Sequence, residues 1–264
     1  TLLALGIDNR RKIFHSVYRN FGGNLRFFVC GAASINPTVV KGLMDLGFDI
    51  TIGYGLTETS PLASGVSDFE FDTLYHKPGS CGRAIPGGEV KIINQDEDGI
   101  GEIIYRGDNV MQGYYKMPEK TEEVIIDGWF HTGDLGFVDK NGWLYITGRK
   151  KNVIVTKTGK NIYPEELEEL LKNDPYVKES MVYGLEDARD EGMIEAVQII
   201  PDMEAIESDF GKEKTETEIH DILKESLHGL NETLPSYKRI RNIVVRHDDF
   251  IKTTTKKIKR NANI

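Results

Sequence analysis

Three short stretches of this chain carry side chains that could do chemistry together. Residues 53–58 read Gly-Tyr-Gly-Leu-Thr-Glu and residues 132–136 read Thr-Gly-Asp-Leu-Gly, while residues 252–260 hold five Lys or Arg. Hydroxyl and carboxylate groups on glycine-flanked loops suit a phosphate ester and its magnesium ion. A lysine suits the negative charge that collects where a carboxylate meets a phosphate. The combination predicts a site for a nucleotide triphosphate, its metal and a carboxylate.

The first stretch follows a predicted strand directly, at the end of the strand where α/β sheets bind ligands. Gly53 and Gly55 would let the backbone approach a ligand closely, and Tyr54 has a flat ring on which adenine could stack. Thr57 offers a hydroxyl and an amide to phosphate oxygens, and Glu58 offers a hard oxygen ligand to Mg²⁺. The simpler interpretation is a tight turn in which the Thr-Glu pair only caps a helix.

The second stretch places one carboxylate, that of Asp134, between two glycines. A carboxylate held in this way can accept two hydrogen bonds from a ribose diol, each worth roughly 1.5–3 kcal/mol. The alternative is an aspartate that only shapes a β-turn.

The first sixty residues predict a βαβ unit. We expect a helix from Asp8 to about Phe21, a buried strand at residues 25–30, a helix from Pro37 to about Leu46 capped by Asn36, and a strand at residues 48–52. Strand, helix and strand at this spacing imply that the two strands pair in parallel.

The sequence of the remaining residues predicts two further regions. A run of glycines and prolines at residues 78–88 opens a β-rich segment, which we expect to form an antiparallel sheet or small β-barrel with strands at residues 89–93, 101–105, 131–138 and 143–146 and a helix at 118–124. A compact α+β region follows, with a hairpin at residues 152–156, helices at 164–172 and 215–227, strands at 177–183, 194–200 and 242–246, and a polar tail.

The order and the sequences of these motifs resemble those of the adenylate-forming (acyl-CoA synthetase, AMP-binding) superfamily over essentially the whole chain. The resemblance implies the end of the large-domain βαβ layer plus a small antiparallel β-barrel, followed by a compact α+β C-terminal domain. It places the C-terminal part of the large AMP-binding domain at residues 1–149, with a βαβ unit at 1–60 and a β-rich subdomain at 61–149. A small mobile domain follows at residues 150–264.

The resemblance also implies roles for individual residues, taken motif by motif. In the large domain, the small residues Gly31, Ala32 and Ala33 would line the adenine pocket, and Asp134 would bind the ribose hydroxyls. At the domain junction, Arg149 would lie near the ribose and phosphates, and Lys151 would be the pivot of the small domain's rotation. Many relatives carry Asp at the pivot, so the detailed contacts of Lys151 remain open.

Two further motifs of the small domain resemble the family. Gly159 lies in a string, Thr-Gly-Lys-Asn-Ile-Tyr-Pro-Glu-Glu, that resembles the loop building the pantetheine tunnel. The lysine-rich tail resembles the pattern Pro-Lys-Thr-x-x-Gly-Lys-x-x-Arg, which places the catalytic lysine at Lys257. Ile251 replaces the proline of that pattern and Lys256 replaces its glycine, so the geometry of the loop is open and an assignment one residue away is an alternative.

The sequences of these motifs are most similar to those of long-chain fatty acyl-CoA ligases. The implied reaction joins a fatty acid to coenzyme A through an acyl-adenylate. ATP is consumed, Mg²⁺ is bound as a cofactor, and AMP is released. The alternatives are an aryl-acid ligase, an acyl-carrier-protein ligase and a catalytically inert nucleotide-binding module. The family's Ser/Thr/Gly-rich loop, which wraps the β- and γ-phosphates, has no counterpart here. We therefore expect a C-terminal part of a longer synthetase, with little ligase activity by itself.

Composition sets the remaining bounds. The net charge of −9 argues against a general nucleic-acid binder, although residues 237–260 carry nine Lys or Arg against two Asp. This basic tail suits a local anionic ligand, and a solvated tail without function is the alternative. No apolar run reaches the roughly 18 residues of a membrane span, and two cysteines give no disulfide framework, so we expect a reducing cytoplasm. Peripheral membrane contact and oligomeric state stay open.

Overall fold

The computed structural model describes residues 8–33, 35–67, 71–187, 192–254 and 256–264. Contacts between Cα atoms divide the chain into two compact units, Thr1–Thr147 and Gly148–Ile264. No helix in the described ranges is both long enough and apolar enough to cross a bilayer.

The first unit begins with the expected βαβ unit. Helix α3 (Pro37–Asp45) connects β1 (Phe27–Cys30) to β2 (Asp49–Tyr54), and the two strands pair in parallel, with Cys30 opposite Ile52. The Asn36 side chain accepts the Thr38 N–H and Pro37 occupies the first turn, which is the predicted start of the helix. Because both strands run the same way, the loops that follow them leave the same edge of the sheet.

One face of this small sheet is buried against α3 and the other is open. Val40 of α3 and Ile50 of β2 are fully buried in one cluster, whereas Phe27 and Val29 of β1 are 51% and 72% exposed. The expectation that β1 is a buried strand is therefore wrong for half of its side chains. Cys30 and Cys81 are both half-buried beside this cluster. Burial raises the pKa of the Cys81 thiol to about 12.

The first helix differs from the prediction of one continuous helix. The chain forms α1 (Arg10–Ile13) and α2 (His15–Asn20), which are separated at Phe14. Ile13 is 67% exposed, while Tyr18 is buried and stacks on Phe48, with ring centroids 4.3 Å apart. The segment therefore packs on Phe48 through Tyr18 and through Phe21, whose ring centroid lies 5.6 Å from that of Phe48.

The β-rich part of the first unit forms the predicted antiparallel sheet. The short strands β3 (Ser64–Gly65) and β4 (Arg83–Ala84) extend the first sheet beside β2, and α4 (Phe71–Tyr75) lies between them in the chain. The second sheet has five strands in the order β5-β6-β8-β7, with β9 paired to β8. Its elements are β5 (Glu89–Ile93), β6 (Gly101–Arg106), α5 (Pro118–Val124), β7 (Ile125–Ile126), β8 (Trp129–Val138) and β9 (Leu144–Arg149).

The second unit is the predicted α+β region. Its elements are β10 (Ile154–Val155), β11 (Asn161–Ile162), α6 (Pro164–Leu171), β12 (Val177–Asp187), β13 (Gly192–Pro201), α7 (Met203–Phe210), α8 (Glu216–Thr233) and β14 (Asn242–Val245). Strands β12, β13 and β14 form one mixed sheet, and the helices bury Leu167, Ile206 and Leu223 in a single core with it. Helix α7 is absent from the sequence-based prediction, and α8 runs six residues beyond its predicted end at Leu227.

Candidate functional site

Two glycine-containing loops meet at the edge of the sheet where β1 and β2 end. A Cβ atom on Gly31 would lie 3.4 Å from the carbonyl oxygen of Gly53, so the two backbones are in close contact. Ala32 adopts a φ of 65°, in the left-handed region that residues with a side chain rarely enter. The predicted adenine-pocket residues Gly31, Ala32 and Ala33 therefore lie beside the Gly53–Gly55 stretch, at the strand ends where α/β sheets bind ligands.

The residues after β2 fold back sharply on themselves. A Cβ atom on Gly55 would lie 1.8 Å from the carbonyl oxygen of Pro61, which only a glycine can accommodate. The fully buried Thr59 hydroxyl accepts the Leu56 N–H at 2.9 Å, and its own proton is shared between the carbonyl oxygens of Leu56 and Pro61, each 3.0 Å away. Gly55 and Thr59 thus fix the loop that presents Thr57 and Glu58.

A neighbouring segment holds this loop from outside. The Asn109 side chain donates to the carbonyl oxygens of Thr59 and Leu62, and it accepts the Tyr105 hydroxyl at 2.8 Å. Sequence reasoning did not identify Asn109, because the two carbonyl groups that it holds, those of Thr59 and Leu62, lie 50 and 47 positions earlier in the chain. Thr57 is exposed and Glu58 is half-buried, so both side chains reach the surface of the fixed loop.

Glu58 has a hydrogen-bond donor aimed at its carboxylate. The Tyr114 hydroxyl donates to Glu58 Oε1 at 2.8 Å, and the Met111 N–H donates to the Glu58 carbonyl at 2.8 Å. Burial, followed by the hydrogen bond to Glu58 and the charge of Glu58, raises the pKa of Tyr114 to about 12. The phenol therefore keeps its proton at neutral pH and remains a donor.

The donor set around Glu58 suits Mg²⁺ bound together with a nucleotide. In the described ranges no three His, Cys, Asp or Glu side chains come together to hold a metal. Mg²⁺ commonly takes one or two carboxylates, keeps several waters and completes its shell with substrate phosphates. A single accessible carboxylate beside a hydroxyl therefore fits a nucleotide-bound magnesium ion, and it does not fit a metal held by the protein alone.

Asp134 lies next to Tyr54 in space although eighty positions separate them. The Tyr54 hydroxyl donates to Asp134 Oδ2 at 2.6 Å, and the Thr132 hydroxyl accepts the Asp134 N–H at 3.1 Å. Both Asp134 and Tyr54 are buried, at 5% and 8% exposure. The structure thus brings the second motif to the first. The Tyr54 ring lies in the cluster with Ala63, so the stacking of adenine on it stays a prediction.

The second unit carries the remaining predicted residues. Arg149 ends β9 and is half-buried, and Lys151 is exposed in a short 3-10 turn, Lys150–Asn152. The Asn152 side chain donates to Glu165 Oε1 at 2.6 Å and so ties this turn to α6. Gly159 has a φ of 78° and no atom within 4 Å of a Cβ built on it, so the turn needs a glycine and leaves open space.

The lysine-rich tail is an ordered hairpin rather than a free tail. Lys252 and Ile258 form an antiparallel bridge, and the Lys257 N–H donates to the Thr253 hydroxyl at 3.1 Å. The Lys257 side chain is exposed at the tip. Asn263 closes the base, because its side chain bonds both the N–H and the carbonyl of Ile251, at 2.9 and 3.1 Å.

Arg260 anchors the same hairpin to α6 and β12. Its guanidinium donates to both carboxylate oxygens of Glu168 at 2.8 and 2.7 Å and to the Val182 carbonyl at 2.7 Å. Glu165 Oε1 lies 3.4 Å from the same guanidinium. Sequence reasoning noted Arg260 only as the last residue of the motif. The anchoring residues Glu168 and Asn263 carried no signal in the sequence.

Lys256 occupies a backbone position that favours glycine. Its φ is 61°, and the family pattern has glycine there. A left-handed conformation costs a non-glycine residue roughly 1–2 kcal/mol, while glycine loses more entropy on folding. We expect Lys256→Gly to raise the free energy of unfolding by about 0.5–1 kcal/mol in urea titrations. Lys259→Gly, at a φ of −83°, is the matched control and should lower it. Equal losses in both variants would contradict the strain at Lys256.

Comparisons with known proteins identify the family of this chain. The AMP-binding enzyme family matches residues 3–115, and the AMP-binding enzyme C-terminal domain matches residues 151–264. The long-chain-fatty-acid–CoA ligase FadD15 of Mycobacterium bovis is 39% identical over 174 residues, which cover 66% of this chain and 27% of that ligase.

Solved structures share the fold. The o-succinylbenzoate CoA synthetase of Bacillus subtilis, in complex with the acyl-adenylate intermediate, gives a TM-score of 0.72 at 26% identity over 96% of this chain and 53% of that one. The same synthetase in complex with ATP and a magnesium ion gives a TM-score of 0.71 at 25% identity, over 97% of this chain and 54% of that one. This chain therefore spans about a quarter of FadD15 and half of the solved synthetase. It belongs to the adenylate-forming, AMP-binding enzymes.

Proposed function

We propose that this chain supplies the nucleotide-holding loops and the lysine-bearing small domain of an AMP-forming acyl-CoA ligase that acts on fatty acids. The observation that carries the proposal is the contact between Tyr54 and Asp134, which joins the glycine-rich loop and the lone aspartate at one edge of the sheet. A carboxylate beside the carboxyl end of a parallel strand is the chemistry that a ribose diol requires.

In the proposed reaction, a carboxylate oxygen attacks the α-phosphorus of ATP, and pyrophosphate leaves to give an acyl-adenylate. Asp134 holds the ribose, Thr57 the phosphates, and Glu58 the magnesium ion that offsets phosphate charge. Lys257 neutralises the charge shared by the carboxylate and the α-phosphate. The exposed position of Lys257 at the tip of an anchored hairpin supports this role, as does the left-handed Lys256 in place of the family's glycine.

The second step uses the small domain differently. We propose that a rotation about Lys151 withdraws Lys257 and brings in the turn at Gly159, after which the thiol of coenzyme A attacks the acyl carbonyl. A thioester forms and AMP leaves. The open space at Gly159 supports passage of a thin pantetheine arm. One site then serves two steps by a domain motion. The boundary between the compact units, at Thr147 and Gly148, lies near this pivot.

The choice of a fatty acid over an aryl acid rests on the identity to FadD15, whereas the solved relative acts with o-succinylbenzoate. The fatty acid, ATP and coenzyme A would be the substrates, and a cytoplasmic location suits them. An aryl-acid or acyl-carrier-protein ligase is the second candidate within the enzyme class, and an inert nucleotide-binding module is the candidate outside it.

Pyrophosphate release tests these candidates. The natural polypeptide that carries this sequence receives ATP and Mg²⁺ with either palmitate or o-succinylbenzoate, with coenzyme A present or omitted. We expect turnover with palmitate that exceeds turnover with o-succinylbenzoate. The reverse preference would favour the aryl-acid ligase, and no release with either acid would favour the inert module. The 264 residues alone should give background release, because their sequence contains no Ser/Thr/Gly-rich motif of the kind that wraps the β- and γ-phosphates.

A further inference from the structure

Tyr114 is fixed at both its side chain and its backbone. Its hydroxyl donates to Glu58 Oε1 at 2.8 Å, and its N–H donates to the Thr121 hydroxyl of α5 at 2.9 Å. Thr121 in turn donates to the Met117 carbonyl at 3.1 Å. A Cβ on Gly113 would lie 2.9 Å from the Thr121 hydroxyl, so the turn before Tyr114 packs closely on the helix. The tyrosine is therefore held by α5 before any ligand binds.

The same segment fixes the backbone beneath Glu58. The Met111 N–H donates to the Glu58 carbonyl at 2.8 Å, so main chain and carboxylate are both held by residues 111–114. A glutamate side chain loses considerable rotamer freedom when it binds a cation. A donor that already occupies Oε1 selects one rotamer and leaves Oε2 to face the ligand. Groups that orient a metal-binding carboxylate in this way commonly change metal affinity by about tenfold or more when they are removed.

We propose that Tyr114 is a positioning residue that orients the Glu58 carboxylate for magnesium and thereby sets the metal dependence of nucleotide binding. The inference rests on the proposed function, which assigns Glu58 to the metal. It goes beyond that function because it assigns Tyr114 no contact with nucleotide or metal, only the hydrogen bond to Glu58. Its effect passes through one hydrogen bond to Glu58.

Tyr115 provides a matched control in the next position. It is the same residue type, but its side chain is 86% exposed and lies outside the contact with Glu58. Tyr114→Phe removes the hydroxyl that bonds Glu58, and Tyr115→Phe removes a hydroxyl from the surface. The measured quantity is the ratio of Kd for ATP without magnesium to Kd for ATP at saturating MgCl₂, by isothermal titration. Urea unfolding of each variant reports any general loss of stability.

We expect magnesium to tighten ATP binding in the wild type and in Tyr115→Phe alike. Tyr114→Phe should reduce this enhancement about tenfold, with little change in Kd for ATP when magnesium is absent. Glu58→Gln should abolish the enhancement, and the double variant Tyr114→Phe/Glu58→Gln should equal Glu58→Gln. Non-additivity of this kind is what a contact through Glu58 requires. If Tyr114→Phe does not fold, Thr121→Val should reduce the enhancement in the same direction, because it releases the backbone of Tyr114.

The outcomes separate this inference from the proposed function. If Glu58→Gln loses the enhancement while Tyr114→Phe keeps it, the positioning role is overturned and the metal assignment stands. If Glu58→Gln keeps the enhancement, or the wild type has none, both are overturned. A Tyr114→Phe variant that is less stable in urea but has a normal magnesium response would show a purely structural tyrosine, which also overturns the inference.

Discussion

Replacing Asp134 by alanine is expected to weaken AMP binding by at least about a hundredfold. The carboxylate would accept two charge-assisted hydrogen bonds from the ribose hydroxyls, each worth roughly 1.5–3 kcal/mol. Losing both corresponds to about 3 kcal/mol or more, and each 1.4 kcal/mol is tenfold in Kd. Isothermal titration of AMP into the 264-residue chain measures the effect.

The Asp134→Ala variant needs a second variant beside it, because Asp134 also accepts a hydrogen bond that stabilises the fold. It is 5% exposed and accepts the Tyr54 hydroxyl at 2.6 Å, so alanine would leave a buried phenol without its acceptor. An unsatisfied buried donor costs about 1–3 kcal/mol of stability. Asp134→Asn keeps an acceptor oxygen for Tyr54 but removes the charge. We expect the asparagine variant to retain most of the stability and to lose about tenfold in AMP affinity.

Asp98 supplies the control for general electrostatic effects. It is exposed in the turn between β5 and β6, so Asp98→Ala should leave AMP binding unchanged. If Asp134→Asn binds AMP as the wild type does, the ribose role of Asp134 is wrong. If Asp134→Ala loses affinity only in proportion to a loss of folded protein, the aspartate supports the fold and does not contact the nucleotide.

The sequence predicted well those elements whose signals are local. Helix α3 begins where Asn36 and Pro37 place a cap and a first turn, and α5 and β5 have the predicted bounds. The βαβ unit and its parallel pairing followed from spacing alone. These features depend on backbone geometry within a few residues, which is what propensity and periodicity record.

Elements fixed by distant contacts were predicted poorly. Ile13 has the helical spacing of a buried residue but is 67% exposed, because the segment packs on Phe48 through Tyr18 and Phe21. Helix α8 continues through Gly229 to Thr233, although a glycine normally weakens a helix, because Leu230 packs on the core of the second unit. A single sequence contains both residues of such a contact but does not indicate that they pack together.

The candidate site divides in the same way. Site residues such as Thr57, Glu58 and Asp134 lie in short motifs that can be recognised in the sequence. The contacts that hold these side chains and their loops in place cannot be recognised in this way. Tyr114 lies 56 positions from Glu58, and Arg260 lies 92 positions from Glu168. A hydrogen bond that spans such a separation depends on the whole fold. The structure was therefore needed to identify the residues that orient the predicted ones.

Replacing Arg260 by alanine is expected to destabilise the second unit by about 3–5 kcal/mol at about pH 8, the usual cost of removing one partner from a buried ion pair. Arg260 is 16% exposed and Glu168 is 17% exposed, and one guanidinium nitrogen, Nη2, donates to both carboxylate oxygens. Urea unfolding followed by circular dichroism measures the loss. The hairpin that carries Lys257 would also lose its anchor to α6 and β12.

Two controls define this effect. Lys172 pairs with Glu169 on the surface of the same unit, where the lysine is 54% exposed, so Lys172→Ala should cost less than about 1 kcal/mol. The double variant Glu168→Leu/Arg260→Met removes both charges and should recover most of the stability, since apolar groups commonly replace a buried pair without loss. A double variant as unstable as Arg260→Ala would mean that the guanidinium acts mainly through the Val182 carbonyl.

The pH dependence of stability gives a further test of the Arg260 prediction. Burial, together with the charge of Glu165, raises the pKa of Glu168 from its ordinary 4.5 to about 7, against the opposing effect of Arg260. The folded state therefore keeps a proton that the unfolded state has lost, and stability falls as pH rises through this window. Glu168→Gln should flatten this slope.

Removing Arg260 takes away the main charge that favours an ionised Glu168, so the pKa of Glu168 should rise further in Arg260→Ala. The variant should then lose little stability at about pH 5, where Glu168 can stay neutral, and most at about pH 8, where ionisation leaves an unpaired buried carboxylate. Urea titrations at both values check this difference. A deficit independent of pH would show that the packing of the arginine, and not its charge, holds the lysine hairpin in place.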